Sequence, residues 1–332
     1  MIVHLKENTN KEQALTACKI MNGFLYKENE TFVVVNSSKS KNIPAEIENL
    51  VSEKWNFDND MQLTSRAYKK ETREVKIGNI TIGGKSNNTH IIAGPCSVES
   101  KEQIHKTADF LSGLGLHSIR GGCYKPRTSP YSFQGLGYEG ICLLNEVKEK
   151  YELSAVTEVK DSSHIDVLIE NADIIQIGTK AMYDQSVLRK CGESDKPILL
   201  KRGFGTTLQE FVQAAEFIMS KGNDQVILCE RGIRTFVEKT RFTLDLCGVA
   251  YLKEHCNLPI VLDPSHAMGY SYGVSDISRA CVAMGIDGLL IEVHPNPKEA
   301  LSDAAQQLNF YEFENLLESL KPIAKAVGKN II

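Results

Sequence analysis

The chain has 332 residues, room for one large domain and one small one. Its formal net charge of −4 gives no global attraction to nucleic acid or an anionic membrane, so any anion binding has to be local. No apolar run approaches a membrane span, Met1 to Thr16 is too polar for a signal peptide, and nine cysteines without a Cys-x-x-Cys pair argue against a disulfide framework and for a reducing cytoplasm.

Residues 1–70 predict the order β-α-β-β-α-β, that of a small ferredoxin-like α+β domain. Ile2 to Leu5, Phe24 to Tyr26, Phe32 to Val35 and Met61 to Thr64 read as strands. Lys11 to Met21 has helical spacing at Ala14, Leu15, Cys18 and Met21. Pro44 to Lys54 opens with proline and repeats at Ile47, Leu50 and Val51, which predicts a second helix. Residues 71–89 combine a charged linker with a hairpin around Gly78-Asn79.

From 90 to 332, strand and helix alternate. The expected strands are His90–Ala93, His117–Ile119, Leu153–Thr157, Ile174–Ile177, Ile198–Leu200, Val226–Leu228, Ile260–Leu262 and Gly288–Ile291. Each is short and apolar, as strands buried on both faces should be. Between them lie amphipathic segments, clearest at Leu208, Phe211, Val212, Ala215, Ile218 and Met219. This alternation predicts a (β/α)8 TIM barrel, with a doubly wound sheet as runner-up. Gly135-Leu-Gly-Tyr-Glu-Gly140 fits a dinucleotide-binding pattern, but a loop precedes it where a strand is required, so it reads as loop glycine.

A barrel carries its chemistry where its strands end. Walking those ends collects the cations Arg120, Lys125, Arg127, Lys180, Lys201, Arg202 and Arg231. Seven at once suit small molecules with several negative charges, better than chance snorkelling does. The densest part is Arg120-Gly-Gly-Cys-Tyr-Lys-Pro-Arg-Thr-Ser129, where Gly121 and Gly122 are expected to let backbone approach a ligand. Cys96, His266, Glu292 and Asp303 form a second group, whose thiolate, imidazole and carboxylates can make a divalent metal site. Their spacing carries no metal signature, because each comes from a different strand end.

The stretch Arg120 to Ser129, with its Lys-Pro-Arg-Thr-Ser, resembles the substrate loop of the 3-deoxy-7-phosphoheptulonate synthase family, the first enzyme of the shikimate pathway to aromatic amino acids. The resemblance is to the form with a small N-terminal domain, and it is dense from Ile91 to Asp303. It implies a metal-dependent condensation of phosphoenolpyruvate with erythrose 4-phosphate and water. Cys96, His266, Glu292 and Asp303 would hold one divalent ion, Mn2+, Co2+, Fe2+ or Zn2+. Arg120, Lys125, Lys201 and Arg231 would bind phosphoenolpyruvate, with Lys180 at the position of a further phosphate anchor. Arg127 and Thr128, helped by Ser129, would take the phosphate of erythrose 4-phosphate. Lys125, Cys96 and His266 are the expected catalytic residues, and Glu158 is a candidate for handling protons. The resemblance also implies a homotetramer and an aromatic amino acid effector on the N-terminal domain.

Three departures stand out. Gly-Thr-Lys180 replaces Gly-Ala-Arg, Lys201-Arg-Gly-Phe-Gly205 replaces Lys-Arg-Gly-Met, and Ala304-Ala305 follows Asp303 where Gly-Pro is common. Lys180 keeps the charge but not the guanidinium fork. The competing readings are a Schiff-base aldolase with Lys201 as nucleophile, an octulosonate-phosphate synthase using a longer aldose phosphate, and a ligand-binding paralogue without turnover.

Overall fold

A computed structural model describes residues 1–28, 30–125 and 129–332; the expected substrate contacts Arg127 and Thr128 lie outside the described residues. The first sheet is built from β1 (Ile2–Leu5), β2 (Phe24–Glu28), β3 (Thr31–Val35) and β4 (Val51–Trp55), in the antiparallel order β2-β3-β1-β4. Asn10 starts α1 (Lys11–Met21) with a reciprocal capping box to Gln13, and left-handed Asn22 ends it. Ala14, Ala17 and Met21 face inward, while Leu15, expected on that face, is exposed. Met1, Val3 and Leu5 join them in the domain's own core, and Ile2 alternates to the opposite face, against the barrel layer.

Two expected elements of this domain take another form. The helix predicted over 44–54 is a short 3-10 turn, Ala45–Leu50, and the chain then extends into β4. The pairings Leu5↔Val51 and Ile2↔Trp55 satisfy a free edge of β1, which a continued helix would leave open. Apolar spacing at Ile47, Leu50 and Val51 cannot separate a helix from a turn followed by a strand. Met61 to Thr64 forms no strand, because its amides are taken by a side chain instead. The backbone N–H groups of Gln62, Leu63 and Thr64, and the Thr64 hydroxyl, all donate to the half-buried carboxylate of Glu216, at 2.7–3.1 Å.

The expected hairpin is present as β5 (Glu74–Ile77) and β6 (Ile80–Gly83), turning at Gly78 with φ +56°. Eight parallel strands follow: β7 (Asn88–Gly94), β8 (Ser118–Arg120), β9 (Ser154–Val159), β10 (Ile174–Ile177), β11 (Ile198–Lys201), β12 (Val226–Glu230), β13 (Ile260–Leu262) and β14 (Gly288–Glu292). Each pairs with the next, and β14 pairs with β7, so the sheet closes. The doubly wound alternative is thereby excluded. A short last strand, β15 (Asn330–Ile331), adds to the start of β7.

The outer layer is α2 (Lys101–Gly113), α3 (Tyr138–Tyr151), α4 (Ile165–Asn171), α5 (Gln185–Gly192), α6 (Leu208–Met219), α7 (Leu246–His255), α9 (Ser271–Ala283) and α10 (Phe310–Ala326), with a one-turn helix α8 (Pro264–Met268) after β13. Ile92, Val156, Ile174, Leu199, Ile227, Val261 and Leu290 fill the barrel interior in one cluster with Val75, Ile77 and Ile82 of the hairpin. Lys76 N–H bonds Gln225, and Gly83 packs against Pro259, both just ahead of their strands. The hairpin therefore plugs the N-terminal mouth and leaves the C-terminal mouth open. All nine cysteines are free thiols, six of them buried.

Candidate active site

Most polar groups at the open mouth follow closely on the end of a strand. Gly94, at φ +146°, passes so close to β8 that a Cβ there would sit 2.2 Å from Arg120 O, and the chain then turns Cys96 inward. Gly121 and Gly122 serve the same packing. A Cβ on Gly121 would meet Val98, and one on Gly122 would lie 3.0 Å from Cys96 O. After β13, Asp263 caps α8 through His266 N–H at 2.9 Å, with Pro264 in the first turn. That single turn swings the His266 ring back over the mouth.

Four metal-seeking groups meet there. One ligand atom each of Cys96, Glu292 and Asp303 lie within 4.8 Å of one another. His266 Nε2 is 3.4 Å from Glu292 Oε1 and 3.9 Å from Asp303 Oδ2. Its Nδ1 lies 2.7 Å from Asp263, leaving Nε2 directed at the cluster, the arrangement that orients an imidazole ligand. Asp303 is held in the left-handed region, φ 48°, a local cost that aspartate tolerates better than most residues. Sulfur, imidazole nitrogen and two carboxylate oxygens at such separations suit a transition ion. His294, four per cent exposed, lies outside this group; its Nδ1 accepts from Asn296 N–H.

Cations surround the cluster. Lys125 Nζ lies 3.1 Å from Cys96 Sγ, Arg120 bonds Glu292, and Lys201 bonds Asp263 at 2.5 Å. Burial alone would raise the carboxyls of Asp263, Glu292 and Asp303, but His266 and these cations outweigh it and hold all three below their ordinary range. Burial also lowers the imidazole of His266, against the pull of Asp263 and Glu292. It pushes the Cys96 thiol up to about 11. A bound ion would displace that proton.

Beside the cluster lies a cavity of about 310 Å3, lined by Lys125, Ser132, Glu158, Gln176, Gly178, Thr179, Lys180, Lys201, Phe204, Arg231, Arg241, Phe242, His266 and Asp303. Glu158 accepts from Gln176 at 3.2 Å. A Cβ at Gly178 would fall 1.8 Å from Glu158 Oε1, so the glycine is what lets that carboxylate into the cavity.

Six of the seven expected cations lie among the described residues, and they divide. Lys125, Lys180, Lys201 and Arg231 line the cavity, and Arg120 stands behind it on Glu292. Arg202 turns away, bonded to Glu230, Asp245 and the carbonyl of Thr206, and serves the wall. Ser129 is not in the lining; its hydroxyl accepts from Tyr131 N–H, while Ser132 reaches the cavity. Sequence reasoning missed Arg241 and Phe242, which sit in a loop without local pattern, and marked Phe204 only as a departure from a motif. Gly135 and Gly140 pack on Cys123 ahead of and within α3, so that glycine pattern serves a loop-to-helix junction.

Fold and mouth together define a (β/α)8-barrel enzyme. The chain belongs to the DAHP synthetase I family, whose model matches residues 61–328. It is similar to the phospho-2-dehydro-3-deoxyheptonate aldolase of Thermotoga maritima, 46% identical over 270 residues that cover 81% of this chain and 79% of that protein. The crystal structure of that organism's DAHP synthase superimposes with a TM-score of 0.81 at 40% identity, covering 100% of this chain and 99% of the other. The 2-dehydro-3-deoxyphosphooctonate aldolase of Syntrophotalea carbinolica is 30% identical over 274 residues, 77% of this chain and 98% of that protein. No described helix is long and apolar enough to cross a membrane.

Proposed function

We propose that the open mouth condenses phosphoenolpyruvate with erythrose 4-phosphate and water, giving 3-deoxy-D-arabino-heptulosonate 7-phosphate and inorganic phosphate, the activity that defines a 3-deoxy-7-phosphoheptulonate synthase. The observation that carries this is one cavity bordered on one side by Cys96, His266, Glu292 and Asp303 and lined elsewhere by Lys125, Lys180, Lys201 and Arg231. The heptonate relative is also 46% identical, against 30% for the octonate one.

In this reading Cys96, His266, Glu292 and Asp303 hold one divalent ion, with Mn2+, Co2+, Fe2+ or Zn2+ all compatible with the donors. When bound, such an ion supplies Lewis acidity toward an aldehyde oxygen. Arg120, Lys125, Lys201 and Arg231 offset the charge of phosphoenolpyruvate and orient its C3 toward the aldehyde carbon. Arg127 and Thr128 take the aldose phosphate. As C3 attacks, positive character develops at C2, water adds there, and the adduct expels phosphate. Glu158 accepts a proton from that water in this reading, which its position in the cavity wall supports. Lys125, raised by Cys96 and Glu158 despite its burial, stays cationic and stabilises negative charge at the aldehyde oxygen. Lys201, tied to Asp263, acts as a charged anchor rather than an imine-forming amine.

Residues 1–70 form the ferredoxin-like regulatory unit, 71–89 the linker and hairpin, and 90–332 the catalytic barrel of a cytoplasmic homotetramer. An aromatic amino acid is the proposed effector on the first unit, tested by titrating activity with tyrosine and phenylalanine. The condensation is tested by phosphate release from phosphoenolpyruvate with four- and five-carbon aldose phosphates, with and without chelator. Turnover with erythrose 4-phosphate that the chelator abolishes is expected. A preference for the five-carbon sugar would overturn the substrate assignment.

A further inference from the structure

Arg231 is held differently from the other buried cations of the mouth. It is 5% exposed, and neither its Nε nor its Nη1 has a hydrogen-bond partner among the described residues. Arg120 rests on Glu292 and Lys201 on Asp263, whereas Arg231 forms no ion pair among the described residues. What holds it is aromatic. Its Cζ lies 4.4 Å from the ring centroid of Phe242. Phe242 stacks on Phe204, with centroids 5.7 Å apart and planes inclined by 19°. Arg234 lies over the Phe204 ring at 4.7 Å.

The rings are themselves anchored. Phe242 N–H donates to Ala267 O at 2.8 Å, next to His266, and Ile233 and Thr243 exchange both backbone bonds at 2.9 Å. Gly232, at φ +96°, lies so close that a Cβ on it would be 2.7 Å from Phe242 Cβ. The loop from 232 to 243 thus folds back on α8 and presents Phe242 as a fixed surface.

The chemistry of the two kinds of support differs. A carboxylate that oriented Arg231 would occupy its N–H groups and neutralise its charge. A ring face orients the guanidinium plane and leaves the N–H fork at its edge free for an anion. The charge is therefore preorganised and unspent until substrate arrives.

We propose that Phe242 and Phe204 are positioning residues: a stacked aromatic platform that sets Arg231 at the angle at which it grips an anionic group of phosphoenolpyruvate. The inference rests on Arg231 being a phosphoenolpyruvate anchor, and the experiment separates the two. Both Michaelis constants and kcat are measured for Arg231→Gln, Phe242→Leu, Phe242→Tyr and Phe204→Leu, with thermal denaturation as a check on folding. Phe242→Leu raises the KM for phosphoenolpyruvate about tenfold and leaves that for erythrose 4-phosphate within about twofold. Phe242→Tyr, which keeps the ring face, restores the wild-type value. If Arg231→Gln does not raise the phosphoenolpyruvate KM, the anchor reading fails and the platform with it. If Arg231→Gln raises it and Phe242→Leu does not, the platform alone is overturned. A rise of both constants together in Phe242→Leu means general damage to the mouth and also overturns it. Should Phe242→Leu not fold, Phe204→Leu, at a half-buried ring, decides: a selective rise of about threefold supports the platform, and no rise removes it.

Discussion

The ammonium of Lys125 lies 3.1 Å from the sulfur of Cys96. This contact joins the two halves of the mouth, the cations that suit phosphates and the donors that suit a metal. Cys96→Ser and His266→Ala are expected to lose more than the roughly hundredfold in metal affinity that removing an outer partner costs. Equilibrium dialysis of the divalent ion, with circular dichroism to show an intact barrel, checks this. Full metal content in either variant would remove that residue from the ligand set.

Asp263 is the shared support of Lys201 and His266, and it is fully buried. Asp263→Asn takes the charge away from both at once. The expected outcome is a weaker metal site, by about ten- to hundredfold, together with a higher KM for phosphoenolpyruvate. A change in only one of these would show that the carboxylate supports one neighbour and merely touches the other.

Glu216 clips residues 62–64 onto α6 through four hydrogen bonds, three of them from backbone amides. Glu216→Ala strands buried donors at the junction of the N-terminal sheet with the barrel. We expect a loss of about 2–3 kcal/mol in urea denaturation and faster proteolysis near residue 62. An unchanged midpoint would mean that water replaces the carboxylate without cost.

His90 is fully buried, shares a 2.8 Å contact with Ser118, and is held down at about 3 by burial. The unfolded chain takes up this proton near pH 6.5 and the native chain only near pH 3, so between them the unfolded state binds more protons. The neutral imidazole therefore contributes stability that is present above pH 6.5 and lost as pH falls through the window toward 3. Relative to pH 7.5, this one group costs about 2–3 kcal/mol at pH 4.5. His90→Gln should flatten that part of the acid limb of the urea-midpoint profile; parallel profiles for the two proteins would refute the assignment.

The eight strands of the barrel were legible because each is a short apolar run buried on both faces, and Ile174–Ile177 and Ile260–Leu262 agree with expectation at both ends. The 3-10 turn at Ala45–Leu50 was not, since only the free edge of β1 draws Val51 to Trp55 into the sheet. The same holds for Met61 to Thr64, where Glu216, 152 to 154 residues away in sequence, decides the backbone's partner. In the mouth, residues at strand ends were within reach of sequence reasoning, whereas Phe242 and Arg241 arrive from a loop that bonds back to α8.

Local pattern alone determined that strands and helices alternate and that cations, a thiol, an imidazole and carboxylates follow the strands, because burial dictates apolar runs and barrel strands end in polar loops. Only tertiary structure decided which of those groups share a cavity. Closure of β14 on β7 brings Glu292 and Cys96 together across almost the whole barrel sequence, and Arg202, adjacent to Lys201, is turned away by Glu230 and Asp245. Side-chain direction depends on the partners that the fold supplies, and those partners are distant in the chain.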